Sequence, residues 1–101
     1  MKTQEELREE AKAKVDELTT KINSLRSSPL EDIVNKDKLD ELIIELEKIR
    51  DRIKAQYLRI KEKEDKKWDE FELNVYQDMK SFNDAYRQAG TIFKSGKLPS
   101  R

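Results

Sequence analysis

Apolar residues recur three and four positions apart through most of the chain, and this spacing limits the folds that it can adopt. In the first third the steps run 4, 3, 4, 3 along one series: Ala11, Val15, Leu18, Ile22 and Leu25. Such a repeat places a narrow apolar stripe on one side of an α-helix. Only two glycines and two prolines are present to interrupt the pattern. It therefore predicts an all-α protein whose long helices pack as an antiparallel coiled coil.

Composition supports helices and argues against a large globular core. Charged residues make up 44% of the chain and hydrophobic residues 35%. Disordered chains of low hydrophobicity usually carry a high net charge, whereas 22 basic residues here balance 22 acidic ones. The balance gives no general attraction to nucleic acid or to anionic membranes, so we expect neither as a partner. A length of 101 residues predicts a single helical domain.

Caps and helix breakers give the predicted elements. Thr3 with Glu6 three positions later fits a capping box at the start of the first helix. Pro29 cannot continue that helix. The predicted segments are a helix at about 3–27, a connector at about 27–37, a helical region at about 38–94 and a tail at 95–101 that we expect to be frayed.

The segment 61–67 decides between two architectures, because it contains no apolar residue and also no glycine or proline. Local propensity favours a continuous helix through it. The fold would then be a hairpin whose long second helix must oligomerise to bury its far half. A turn at 61–67 would instead give an up-down-up bundle of three helices.

Six residues of the last third form the candidate partner-binding or oligomer face. They are spaced to lie on one side of a helix, which is typical of a core or dimer seam and also of a surface that binds a partner. The six are Trp68, Phe71, Val75, Met79, Phe82 and Tyr86.

No residue pattern indicates catalysis or metal binding. The chain has no histidine and no cysteine, so no serine has an imidazole to activate it, and no thiolate is present. Carboxylate pairs are frequent, but narrow helical seams rarely form the cleft that separates two pKa values. The alternating acidic residues and central glycine of a calcium loop are also missing. We therefore predict a protein that is not an enzyme and has no catalytic residue, metal, cofactor or small-molecule substrate.

The end of the chain resembles a group of bacterial proteins. The resemblance rests on residues 67–71 (KWDEF), 78–79 (DM) and 82–85 (FNDA). These are similar to the ends of small bacterial coiled-coil hairpin proteins, mostly uncharacterised and some labelled as stress-response proteins. The resemblance implies a bacterial accessory protein and supplies no catalytic residue.

Together these observations predict a non-enzymatic structural or interaction protein that acts through helical self-association, as a homo-oligomer or with another helical protein. One alternative is an adaptor that docks its aromatic C-terminal helix on a different protein. Another is a peripheral membrane protein that uses the basic residues after position 84. The charged first ten residues, the absence of cysteine and the lack of any long apolar run predict a cytoplasmic location.

Overall fold

Three α-helices packed against each other make up the protein. The computed structural model describes residues 3–60 and 65–98, without the side chains of 65–67. The helices are α1 (Gln4–Arg26), α2 (Lys36–Arg59) and α3 (Asp65–Gln88). The structure is 84% helical and its described part contains no strand. The all-α prediction is therefore confirmed.

The predicted capping box starts α1. The amide N–H of Glu6 donates to the hydroxyl oxygen of Thr3 at 3.1 Å, and the amide N–H of Thr3 donates to the Glu6 carboxylate at 3.3 Å. At the other end the amide N–H of Ser27 donates to the carbonyl of Asn23 at 2.9 Å. The helix thus ends at Arg26, three residues before Pro29 and close to the predicted end at about residue 27.

The connector between α1 and α2 is ordered. It contains a 3₁₀ helix at Leu30–Asp32. Asn35 then caps α2, because its side-chain oxygen accepts a 3.1 Å hydrogen bond from the amide N–H of Lys38. This cap satisfies one of the backbone donors that the first turn of a helix leaves without a partner.

The continuous helix over 38–94 that local propensity favours is wrong. After Arg59, Ile60 has extended backbone angles (φ −72°, ψ 139°), and α3 packs beside α2. Within the predicted turn at 61–67, residues 61–64 lie outside the described residues. The up-down-up bundle of three helices is the architecture observed, because it lets α1 and α2 cover most of the apolar stripe of α3.

Helix α2 packs against both of its neighbours. Arg26 of α1 forms an ion pair with Glu47 at 3.0 Å, and Arg50 donates to the hydroxyl of Thr19 at 3.4 Å. Higher residue numbers in α2 therefore contact lower residue numbers in α1, so the two helices are antiparallel. Tyr57 of α2 contacts Phe71 of α3, and Arg52 binds Asp78. Helices α2 and α3 are therefore also antiparallel, and α1 and α3 run parallel. The bundle measures 51 × 20 × 17 Å.

One apolar core runs the length of the bundle. Its fully buried centre comes from all three helices, and Tyr57 is the only buried core residue in the described part whose side chain carries a polar group. The largest fully buried side chains are Phe82, Leu18, Ile22, Leu25, Leu39, Leu46 and Ile53.

A short backbone pairing closes one end of the bundle. Ile33 of the connector and Phe93 form an isolated antiparallel β-bridge. The amide N–H of Val34 donates to the carbonyl of Ile92 at 2.7 Å, and that of Lys94 donates to the carbonyl of Asp32 at 2.8 Å. The connector and the C-terminal segment therefore hold each other in place.

The predicted end of the last helix and the predicted frayed tail both need correction. The α-helix ends at Gln88, and a 3₁₀ helix at Ala89–Ile92 follows. Residues 95–98 then fold back, with Gly96 at φ +71° and its amide N–H bound to the carbonyl of Phe93 at 3.0 Å. Leu98 packs partly buried against the core. Residues 99–101 lie outside the described part.

Candidate functional site

The candidate site is a groove between the N-terminal halves of α1 and α3. Helices α1 and α3 approach each other at few points in the described part of the chain, whereas both pack closely on α2. The gap encloses a cavity of about 450 Å³ that is partly open to solvent. We call it the α1–α3 groove.

Aromatic and aliphatic side chains form the floor of the groove. Tyr57 of α2 and Phe71 and Val75 of α3 are each more than nine-tenths buried. The rings of Tyr57 and Phe71 meet edge to face with centroids 5.0 Å apart. The Trp68 ring packs against the Phe71 ring, with ring centroids 5.5 Å apart. Aromatic pairs of this kind contribute about 0.5–1.5 kcal/mol beyond their buried area, so the floor is well fixed.

The two walls of the groove differ in character. Glu10 and Lys14 form the α1 wall, and both are half-buried. The α3 wall comprises Trp68, Glu72, Tyr76 and Met79. Tyr76 is 67% exposed, whereas Trp68 and Met79 are partly buried. The groove thus offers an aromatic and aliphatic surface with charged groups at its rim.

The sequence of α1 explains why the groove stays open. The lower half of α1 fills the core with Leu18, Ile22 and Leu25, all fully buried. Between Leu7 and Leu18, however, α1 has no buried residue, and its core-facing position there is Ala11. A methyl side chain reaches less far toward α3 than a leucine or isoleucine would, and Trp68 at this level is only partly buried.

Tyr57 has a fixed protonation state in this setting. Burial raises the pKa of its hydroxyl well above the ordinary value, and a hydrogen bond to Glu10 and the negative charge of Glu10 raise it further. The phenol therefore keeps its proton at neutral pH, and its O–H donates a hydrogen bond to the Glu10 carboxylate. It serves as an anchored part of the floor that ties α1 to α2.

A second polar cluster joins α2 to α3. Asp78 accepts hydrogen bonds from Arg52 at 3.2 Å and from the side-chain amide of Gln56 at 2.7 Å. The amide oxygen of Gln56 is buried and has no hydrogen-bond partner among the described residues. Gln56 occupies a position of the α2 seam that the heptad pattern would give to an apolar residue. Its bond to Asp78 fixes the register of α2 against α3.

The structure separates the six predicted face residues into two groups. Phe71, Val75 and Phe82 are buried in the core of the bundle itself. The other three are partly exposed at the surface of the bundle: Trp68, Met79 and Tyr86. A partner can reach the second group directly, and their role in binding stays a prediction. The Tyr86 ring lies outside the groove and is stacked with the ring of Phe82. The ammonium group of Lys21 lies over it, 5.6 Å from the ring centroid.

Sequence reasoning missed the contributions of the other two helices. Glu10 and Lys14 look like ordinary surface charges, and Tyr57 only widens the stripe of α2. Their only sequence signal is the small Ala11 at a level where α3 carries its largest side chains.

No family model matches this chain, and neither the curated proteins nor the solved structures contain a match. The resemblance to bacterial coiled-coil proteins therefore stays a prediction. No helix in the described part of the chain is long and apolar enough to cross a membrane. The same residues contain no cluster of acidic side chains suited to a metal ion.

Proposed function

We propose that this chain is a non-enzymatic interaction protein that binds a helical segment of another protein in the α1–α3 groove. The observation that carries the proposal is the partly covered aromatic cluster around Trp68. Tryptophan and tyrosine dominate binding energy at protein interfaces when they lie beside a pocket. An apolar groove between helices is also the usual receptor for an amphipathic helix.

Self-association ranks second as a proposed function. The sequence-based reason for it is the long aromatic stripe that a hairpin would leave in water. In the bundle, α1 and α2 cover Phe71, Val75 and Phe82. Apart from Tyr86, the part of the stripe that stays exposed lies in a short groove, which suits one helix better than an extended dimer seam.

Photo-crosslinking tests the proposal with a matched pair of positions. A photoreactive phenylalanine analogue replaces Tyr76 at the groove or Leu73 on the outer face of α3, which are 67% and 54% exposed. We expect one discrete adduct in extract of the source cells from position 76 and none from position 73. Equal adduct patterns at both positions, or none at either, would contradict the proposal. An adduct of two copies of this chain would favour self-association instead.

The captured protein then has to bind in purified form. It should change the emission of Trp68, the only tryptophan of the chain. Tyr76→Arg should weaken this binding, and Leu73→Arg should leave it unchanged. Equal affinity of the two variants would place the interaction outside the groove.

A further inference from the structure

We infer that the helix bound in the α1–α3 groove runs antiparallel to α1 and α3, in the position of a fourth bundle helix, and carries Lys or Arg on the side that faces α3. This inference rests on the proposed function and specifies the partner's chemistry.

The arrangement of the three helices gives the direction. Helices α1 and α3 are parallel, and α2 packs antiparallel to both along one side. The groove opens on the other side of the same pair. In a four-helix bundle of alternating direction, the fourth helix occupies that position and runs opposite to its two neighbours. Antiparallel packing also places opposite ends of the helix dipoles together.

The backbone of the groove walls offers no sheet edge to which an extended segment could bond. A β-strand binds through unpaired amide and carbonyl groups of a sheet edge. Both groove walls are helices, whose backbone groups bond within the helix. The one β-bridge of the described chain lies at the opposite end, between Ile33 and Phe93. A helix brings its own backbone hydrogen bonds and needs only side-chain contacts.

The length of the groove sets the length of the bound helix. The α3 wall runs from Trp68 to Met79, which corresponds to about 16 Å of helix. A partner segment of about three turns would cover it. Apolar side chains at positions i, i+4 and i+7 of that segment would reach the floor formed by Tyr57 and Phe71.

The charges of the walls set the charges of the partner. Residues 68–79 of α3 contain four acidic residues and no basic one. Of these, Glu72 lines the groove and Asp69 is exposed one position after Trp68. Asp78 is bound to Arg52, and Glu70 lies on the α2 side of α3. The α1 wall is mixed, with Glu10 and Lys14. A helix with basic residues beside α3 is therefore attracted, and one with acidic residues there is repelled.

Two synthetic peptides of 14 residues test the charge. They share apolar residues at i, i+4, i+7 and i+11, contain no tryptophan and differ only in lysine or glutamate flanks. We expect the lysine peptide to bind about tenfold more tightly, read from Trp68 emission, because its charges oppose those of the rim. Glu72→Lys should narrow or reverse this preference, while Glu45→Lys on the exposed face of α2 should leave it intact.

A spin label tests the direction. A label at the N-terminus of the peptide should broaden the resonances of residues near Met79. A label at its C-terminus should broaden those of residues near Trp68. The reverse assignment would overturn the antiparallel placement. Equal binding of the two peptides, or binding of neither, would overturn the inferred chemistry. Crosslinking at position 76 would in that case still support the proposed function, so the two failures can be told apart.

Discussion

Tyr57 of α2 meets Phe71 of α3 edge to face, with ring centroids 5.0 Å apart and ring planes at 82°. In a continuous helix these two residues would lie about 21 Å apart along the axis. Their contact therefore requires the chain to reverse direction between them. The same contact forms the floor of the α1–α3 groove, so the reversal creates both the fold and its candidate site.

A charge placed in the α2 seam should unfold the bundle. Ile53 is fully buried and Ile49 is 2% exposed. We expect either Ile→Asp change to lower the free energy of unfolding by about 4 kcal/mol or more, because the buried carboxylate has no partner. Ile44→Asp is the control, since Ile44 is 52% exposed. Urea unfolding measures all three. Similar losses at positions 44 and 53 would mean that the seam lies on another face of α2.

Polar substitution at Trp68 and Phe82 should melt all three helices together. Phe82 is fully buried and contributes to the core shared by α1, α2 and α3. We expect the double change to Gln to destabilise all three helices together. The helical circular dichroism signal of the whole chain should then be lost as one unit, with no helical part left over. A residual helical signal from a stable pair of α1 and α2 would show that these helices do not depend on α3.

The C-terminal segment should contribute to stability despite its position near the end of the chain. Phe93 is 6% exposed and is paired with Ile33 through the β-bridge. We expect Phe93→Ala to cost about 3–5 kcal/mol, as is usual for a buried phenylalanine. Val34→Ala, at a 64% exposed position of the same pairing, should change stability by less than about 0.5 kcal/mol. Thermal unfolding of both variants checks this, and a neutral Phe93→Ala would mean that the end of the bundle is open in solution.

Alkaline pH should destabilise the protein through Tyr57. Burial raises the pKa of its hydroxyl in the folded state, while the unfolded tyrosine loses its proton near pH ~10. Above that pH the unfolded state binds fewer protons, so the free energy of unfolding falls as pH rises. Below pH ~10 both states keep the proton, so Tyr57 makes its full contribution to the free energy of unfolding.

Unfolding by urea at about pH 8 and about pH 11 measures this loss. The loss should be smaller in Tyr57→Phe than in the wild type. The exposed Tyr76→Phe should behave like the wild type. An equal loss in Tyr57→Phe would place the alkaline sensitivity elsewhere.

The sequence predicts the helices well because their signals are local. Thr3 and Glu6 are close in the chain, and Pro29 acts on its own neighbours. The break near residue 60 is not predictable in this way, since residues 61–67 are good helix formers. Burial of a side chain such as Phe71, Val75 or Phe82 contributes about 1.5–3 kcal/mol, which outweighs the helix propensity of a few surface residues.

The candidate site is only half predictable for a related reason. Trp68, Phe71, Val75 and Met79 share one helix face, and their spacing identifies them. Glu10, Lys14 and Tyr57 come from other helices, and nothing in the sequence says which faces of α1 and α2 will meet α3. The groove itself is a missing contact opposite Ala11, which only the packed structure reveals.

The position of a bound peptide on the bundle can be mapped residue by residue. The lysine-flanked peptide is titrated into isotope-labelled protein, and backbone amide resonances are followed by NMR. We expect shifts confined to the groove, at Lys14, Tyr57 and Tyr76, with Leu73 unchanged. Shifts centred on Leu73 or on the Ile33–Phe93 end would contradict it.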